Sequence, residues 1–219
     1  MKNFIPVLKK CPLFLGIAED ELVRMLTCLG ARVHTYDKNS PVFEEGSSPK
    51  SIGVILSGAV QTQSIDYYGN KNIISEEHTS DSFCESFACA EIDYVPVSIV
   101  SSEPSEIMLI DCSHILHTCE KGCGFHQQLI YNLMKSLAIK NVFFHKRMEI
   151  TSKRTTRDKL IAYLDLCSRE CDSRSFDIPF DRQELADYLE VDRSGLSTEI
   201  GKLCREGIIK NQKNHFELL

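Results

Sequence analysis

Residues 182–203, RQELADYLEVDRSGLSTEIGKL, decide the fold. Asp181 and Glu184 form a D-x-x-E start for one helix, Glu190 and Val191 supply a short turn, and Asp192 caps a second helix that Gly207 ends. Helix, short turn, helix is the pattern of a DNA-binding helix-turn-helix. Leu185 and Leu189 are the apolar face of the first helix, with Ala186 small where the helices approach. Val191 plugs the turn, and Leu196, Ile200 and Leu203 make the inner stripe of the second helix. The outer face at the start of that helix is left to Arg193, Ser194, Ser197 and Thr198. These are the short or cationic hydrogen-bonding groups that read base edges, and Arg is the commonest bidentate partner of guanine. Glu190 stands where a turn glycine is common.

The flanks extend this unit. Thr155 with Asp158 reads as a capping-box start for a helix carrying Leu160, Ile161, Leu164 and Leu166. The last residues read as two short strands, Ile208–Lys210 and His215–Leu218, around a polar tip, Asn211–Asn214, which makes a winged helix. Upstream, Ile130, Met134, Leu137, Asn141, Phe144 and Met148 recur at spacings of four and three. That is a heptad seam with one polar member, the pattern of a dimer interface in which an Asn sets register. The rival reading is an ordinary amphipathic helix packed on its own core.

From Arg32 to about Asp111 the chain breaks into short runs rich in β-branched and aromatic residues, with turn signals every 8–12 residues or so. An all-β sandwich or barrel is expected, with Gly46, Gly58 and Gly69 at turns that need a positive φ. Asp81–Ala90 interrupts it as a short helix or irregular loop, and residues 12–30 have the apolar spacing of a helix before it, with Leu15, Ile17, Leu22, Met25 and Leu26 on its inner face. The expected fold class is α+β: a sensor domain at 1–118, a dimerisation helix at 119–149 and a winged helix at 150–219.

Composition bounds the function. The chain has 219 residues, 42% hydrophobic and 26% charged, which fits a globular protein. No apolar run approaches the roughly 18–20 residues of a membrane span, and no signal peptide is read at the N-terminus, so a cytoplasmic protein without membrane partners is expected. The net charge of −6 is unusual for a nucleic-acid binder. Residues 150–219 carry 12 Lys and Arg against 13 Asp and Glu, while the remainder carries 13 against 18. Lys153, Arg154, Arg157, Arg182, Arg193 and Lys213 are the cations that could face phosphate, and weak non-specific DNA affinity follows from so few. The ten cysteines, without an export signal, read as reduced thiols acting mostly as small hydrophobes.

In order and in motif the chain resembles Crp/Fnr-type (cyclic AMP receptor-like) bacterial transcription regulators. The resemblance rests on CPLFLGIAEDEL at 11–22, PVFEEGSSPKSIGVILSGAV at 41–60, PSEIMLID at 104–111, the long helix, and FDRQELADYLEVDRSGLSTEIGKLCREGII at 180–209. It implies a double-stranded β-helix sensor of the cyclic-nucleotide-binding type, a dimerising helix and a winged helix, in a protein that is no enzyme. Its partners would be a pseudo-palindromic operator, a second copy of the chain and RNA polymerase. It places Arg193, Ser194 and Thr198 where the family reads bases, and Arg182, Gln183 and Thr155 where it contacts the DNA backbone. Ser194 and Thr198 replace larger charged residues of the best-known member, so its operator is not carried over.

The resemblance also locates an effector pocket around Phe83, Glu85, Ser86 and Pro96, in FCESFACAEIDYVPVSIV at 83–100. Members that bind cyclic nucleotides present Gly-Glu and then Arg-Ser there. Here Glu85–Ser86 and the neighbourhood of Pro96 stand instead, and no cation lies between Lys71 and Lys121. A buried phosphate would lack its charge-assisted partner, worth about 1.5–3 kcal/mol per hydrogen bond, so cyclic AMP is not expected and the effector stays unassigned. Cys11 and Cys28 are too sparse for an iron–sulfur run. His117, Cys119, Cys123 and His126 gather soft ligand types within ten residues, which could hold zinc or form a thiol switch, although the spacing is not that of a zinc finger. A redox- or metal-responsive regulator using Cys119 and Cys123 is therefore the alternative. A cupin-like enzyme is a remoter one, because the β region lacks an H-x-H metal motif.

Overall fold

The computed structural model describes residues 2–65, 67, 71–116 and 124–219. Its contacts divide the chain into two compact units, Met1–Ile139 and Lys140–Leu219.

The first unit opens with α1 (Ile5–Leu8), a 3-10 turn at Pro12–Phe14 and α2 (Glu19–Cys28). Eight strands follow: β1 (Arg32–Tyr36), β2 (Pro41–Phe43), β3 (Ser51–Ser57), β4 (Ala59–Ile65), β5 (Lys71–His78), β6 (Ser82–Phe83), β7 (Ser98–Ser101) and β8 (Ser105–Asp111). A short helix α3 (Glu85–Cys89) stands between β6 and β7, and α4 (Cys112–Leu116) follows β8. The strands form two four-stranded antiparallel sheets, in the orders β1-β8-β3-β6 and β2-β7-β4-β5.

The two-residue period of a strand explains how the layers meet. On β3 and β8, Ile55 and Ile107 join Val60 and Ile99 of the other sheet, with Phe83, in the core between the sheets. Ile52, Val54, Leu56, Met108 and Ile110 point the other way, into a second core with Leu8, Phe14, Leu22, Met25 and Leu26. β3 is thus covered on both faces, which is why it reads as a continuous apolar run rather than an alternation. Gly53 sits where Phe83 crosses it: a Cβ there would lie 2.1 Å from the ring. Gly46 and Gly58 take φ of 82° and 87°, as the turns require, while Gly69 lies outside the described residues.

The helix expected over 12–30 is two pieces. Gly16 adopts φ 78° and separates the 3-10 turn from α2, and Leu15 is exposed rather than part of the inner face. Buried Asn132 compensates, because its Nδ2 donates to the Leu13 and Leu15 carbonyls at 3.0 and 2.8 Å.

A 28-residue helix, α5 (Gly124–Thr151), begins in the first unit and continues into the second. Its first half buries Leu129 and Leu133 in the first unit's core. The expected heptad seam divides. Ile130 and Leu137 are half-buried against that core, whereas Met134, Asn141, Phe144 and Met148 are exposed, Met134 at 65%. Ile139, Val142 and Phe143 are exposed as well, so the uncovered apolar surface of α5 is broader than a single stripe.

The second unit adds α6 (Thr156–Glu170), β9 (Ser175–Asp177), α7 (Arg182–Leu189), α8 (Arg193–Arg205), β10 (Ile209–Gln212) and β11 (His215–Leu218). β10-β11-β9 is an antiparallel sheet, so the expected two-stranded wing has a third strand. On α6 the buried residues are Leu160, Tyr163 and Leu164, whereas Ile161 is exposed.

Candidate nucleic-acid interface

Local chemistry positions the helix pair. Asp181 accepts from the Gln183 and Glu184 backbone N–H groups at 2.7 and 2.9 Å, and the Glu184 carboxylate accepts from the Asp181 N–H at 2.6 Å, a complete capping box. Glu190 ends α7 in the left-handed conformation, φ 53° and ψ 56°, so a carboxylate residue holds the position where glycine is common. Lys159 Nζ reaches from α6 to the Leu189 and Glu190 carbonyls at 3.1 and 3.2 Å and satisfies the freed C-terminus of α7. Asp192 then caps α8 by accepting from the Gly195 N–H at 2.7 Å. The Ser194 hydroxyl and that N–H together hold the Asp192 carboxyl below its ordinary range.

The inner stripe of α8, Leu196, Ile200 and Leu203, is buried with Leu185, Ala186 and Leu189 of α7 in one core. Arg193, Ser194, Ser197 and Thr198 are all exposed on the opposite face. The Ser194 Oγ donates to Asp192 at 2.6 Å and the Thr198 Oγ1 donates to the Ser194 carbonyl at 2.9 Å. Both hydroxyl protons are engaged locally, so these side chains present acceptor oxygens, suited to base amino groups. Arg193 has no hydrogen bond or ion pair among the described residues.

An open cleft of about 610 Å³ runs between the start of α6 and this face, lined by Thr155, Arg157, Ser194, Thr198, Lys202 and neighbouring residues. Thr155 is thereby brought beside Ser194 and Thr198. Its hydroxyl accepts from the Asp158 N–H at 3.1 Å and donates to the Asp158 carboxylate at 2.7 Å, so the expected reciprocal box is replaced by a side-chain bond. Gln183 is exposed at the first turn of α7, with its amide donating to Asp187 at 2.8 Å.

The cations divide into two sets. Arg157 donates to both Glu206 carboxylate oxygens, at 3.0 and 2.5 Å, and holds that carboxyl below its usual range. Lys202 pairs with Glu199. Arg182 is half-buried, and its Nη2 donates to Asn211 Oδ1 of β10 at 2.8 Å, linking the start of α7 to the wing. Its Nη1 is buried without a hydrogen-bond partner among the described residues. Burial lowers the Arg182 pKa, and the nearby Arg193 cation acts in the same direction. Of the six expected phosphate-facing cations, Arg157 and Arg182 are thus committed within the fold, while Lys153, Arg154, Arg193 and Lys213 are exposed. Sequence reasoning missed the partners Glu206 and Asn211, which lie 49 and 29 residues away.

The expected effector residues differ in exposure. Phe83 is buried, packed on Gly53 and edge-on to Phe43. Glu85 is 2% exposed, and its carboxylate accepts from the Ser82 hydroxyl at 2.5 Å. Ser86 and Pro96 are exposed, Pro96 between buried Val95 and Val97. Of the soft-ligand group, His117, Cys119 and Cys123 lie outside the described residues. His126 is buried, with its Nε2 3.1 Å from the His114 carbonyl oxygen. Among the described residues no three His, Cys, Asp or Glu side chains gather as a metal site. No described helix is long and apolar enough to cross a membrane.

Comparison with known proteins agrees with this architecture. Residues 33–121 match the family model of the cyclic nucleotide-binding domain, and residues 158–219 match that of the Crp-like helix-turn-helix domain. Among curated proteins no sequence matches the chain. The catabolite activator protein of Thermus thermophilus is similar in structure, with a TM-score of 0.52 and 20% identity over 95% of this chain and 93% of that one. DNR from Pseudomonas aeruginosa has a TM-score of 0.51 and 18% identity, covering 100% of this chain and 95% of that one. OCPA-complexed CprK has a TM-score of 0.64 and 14% identity, covering 90% and 88%. At these identities the structural likeness establishes the fold, and the two consecutive domain matches carry the assignment further. An effector-binding β domain followed in one chain by a Crp-like helix-turn-helix makes this protein a member of the Crp/Fnr family of DNA-binding transcription regulators.

Proposed function

We propose that the chain acts in the cytoplasm as a homodimer that reads a pseudo-palindromic DNA operator through α8 and regulates transcription by contact with RNA polymerase. The working layout is a sensor at 1–118, a dimer helix at 119–149 and a reader at 150–219. The observation that carries this reading is the exposed polar start of α8, where Arg193, Ser194, Ser197 and Thr198 oppose a buried apolar stripe. The uncovered apolar surface of α5, Met134, Phe144 and Met148 included, supports a second copy as partner. Two-fold symmetry then requires half-sites centred about 34 Å apart. Footprinting on the DNA upstream of the protein's own gene should protect an inverted repeat at that spacing. Absence of protection on every genomic fragment would leave a dimeric adaptor instead.

The sensor, in this reading, does not take cyclic AMP. Phe83 occupies the interior, Glu85 is a buried carboxylate, and the segment around Pro96 supplies no Lys or Arg of its own to meet a phosphate, none lying between Lys71 and Lys121 in the sequence. Calorimetry with cyclic AMP should show no micromolar binding, and a micromolar Kd would overturn this part. Native mass spectrometry of the purified protein is the direct search for the effector.

A further inference from the structure

We propose that Cys89 and Cys112 form a peroxide-reactive dithiol whose closure to a disulfide ties α3 to α4. The two sulfur atoms lie 3.2 Å apart, although the residues are 23 positions apart in the chain. Both thiols are free. An ordinary disulfide has its sulfurs about 2.05 Å apart, so closure needs a movement of roughly 1 Å. Cys89 ends α3 and Cys112 opens α4, and these two short helices pack together, so small adjustments of helix ends suffice.

The two positions differ in a way that suits a two-step reaction. Cys89 is half-buried and open to a small oxidant, whereas Cys112 is 2% exposed. The hydrogen bond shared by the two sulfurs lowers the Cys89 pKa, while the same contact and burial push Cys112 up. Cys89, the more open sulfur and the one whose pKa the contact lowers, is therefore placed to attack, and Cys112 to resolve. Its neighbour Cys84 is buried and pushed up to about 12, which leaves it inert. The oxidant is hydrogen peroxide. The Cys89 thiolate attacks one peroxide oxygen, the O–O bond breaks, and hydroxide leaves with sulfenic acid on Cys89. The Cys112 sulfur then attacks the Cys89 sulfur, the S–O bond breaks, and water leaves, carrying the Cys112 proton. The peroxide is reduced by two electrons and the thiol pair is oxidised by two. A cross-link here would hold α3, the helix that carries Glu85, against the end of β8.

This inference stands on unit 1 alone and does not depend on the DNA reading. The test uses the full-length reduced protein, hydrogen peroxide, N-ethylmaleimide blocking and peptide mass spectrometry. The expected product is a cross-linked Cys89–Cys112 peptide pair, two hydrogens lighter than the reduced peptides and separated again by dithiothreitol. Exposed Cys28 should remain alkylated throughout. In Cys112→Ala the reaction should stop at sulfenic acid on Cys89, trapped by dimedone. Unchanged alkylation of Cys89 and Cys112 after peroxide would overturn the proposal, as would a disulfide mapped to another pair such as Cys119–Cys123. Should Cys112→Ala fail to fold, the wild-type peptide map decides by itself.

Discussion

Arg193 and Arg182 stand at the first turns of the two paired helices, yet their surroundings give them different work. Arg193 is exposed without a described partner, so Arg193→Ala should change stability by no more than about 0.5 kcal/mol. A side chain at the first turn of a recognition helix reaches base edges, and losing one such contact costs about 1–3 kcal/mol per half-site. At about 1.4 kcal/mol per tenfold, that is roughly a 5- to 150-fold loss for each half-site. The loss should come with relaxed selectivity at one base position. Arg182→Ala differs. It removes the 2.8 Å bond to Asn211, worth about 1.5–3 kcal/mol for a charged donor, but it also removes the buried, unpartnered Nη1, which costs about 1–3 kcal/mol. The two effects oppose, so the net stability change should stay within about 2 kcal/mol. Its DNA effect should be small and independent of sequence, because the guanidinium is committed to Asn211 rather than to a phosphate. Fluorescence anisotropy on the operator and a one-base mismatch, at two salt concentrations, separates the variants. Equal weakening of all sequences by Arg193→Ala would make Arg193 a phosphate clamp and move the reading face to Ser194, Ser197 and Thr198. No change with either variant would refute the reading of α8 as the base-reading helix.

Three further outcomes are expected. Gly53→Ala puts a methyl group 2.1 Å from the Phe83 ring and should lower stability by about 1–3 kcal/mol in urea denaturation, whereas the same change at open Gly46 should not act through a clash. Met134 and Phe144 are exposed on α5, so replacing both with Lys should yield monomers by light scattering without unfolding either unit, and a persisting dimer would place the interface elsewhere. Glu206 titrates below its ordinary range because of Arg157, so the pair's contribution is full at neutral pH and is lost as pH falls through the depressed value. Glu206→Gln should flatten the acid limb of a stability-versus-pH curve, and an unchanged limb would show that the pair contributes nothing.

Some of this molecule is determined within a few residues of chain, and that part is legible in the sequence alone. The caps Asp181, Asp192 and Thr155 act on N–H groups two or three positions away, so residue type and spacing suffice to find them. The stripe Leu196, Ile200 and Leu203 and the turns at Gly46 and Gly58 are equally local, fixed by a helical period and by the sign of φ. The order of these elements carried the family resemblance. Even a local pattern has limits, however. Leu15 fits the apolar spacing of a helix, but Gly16 breaks the helix there and turns the side chain outward. The rest depends on which distant segments the topology places together. Asn132 meets the carbonyls of Leu13 and Leu15 across more than a hundred residues, and Arg182 meets Asn211 because β10 returns beside the start of α7. Gly53 is required only because the antiparallel register sets it against Phe83. The sulfurs of Cys89 and Cys112 meet because α3 and α4 pack on one another. Periodicity reports which face of an element is apolar, but not which residue of another element lies opposite; strand register and helix packing decide that, and with it which cations stay free for DNA and which thiols can react.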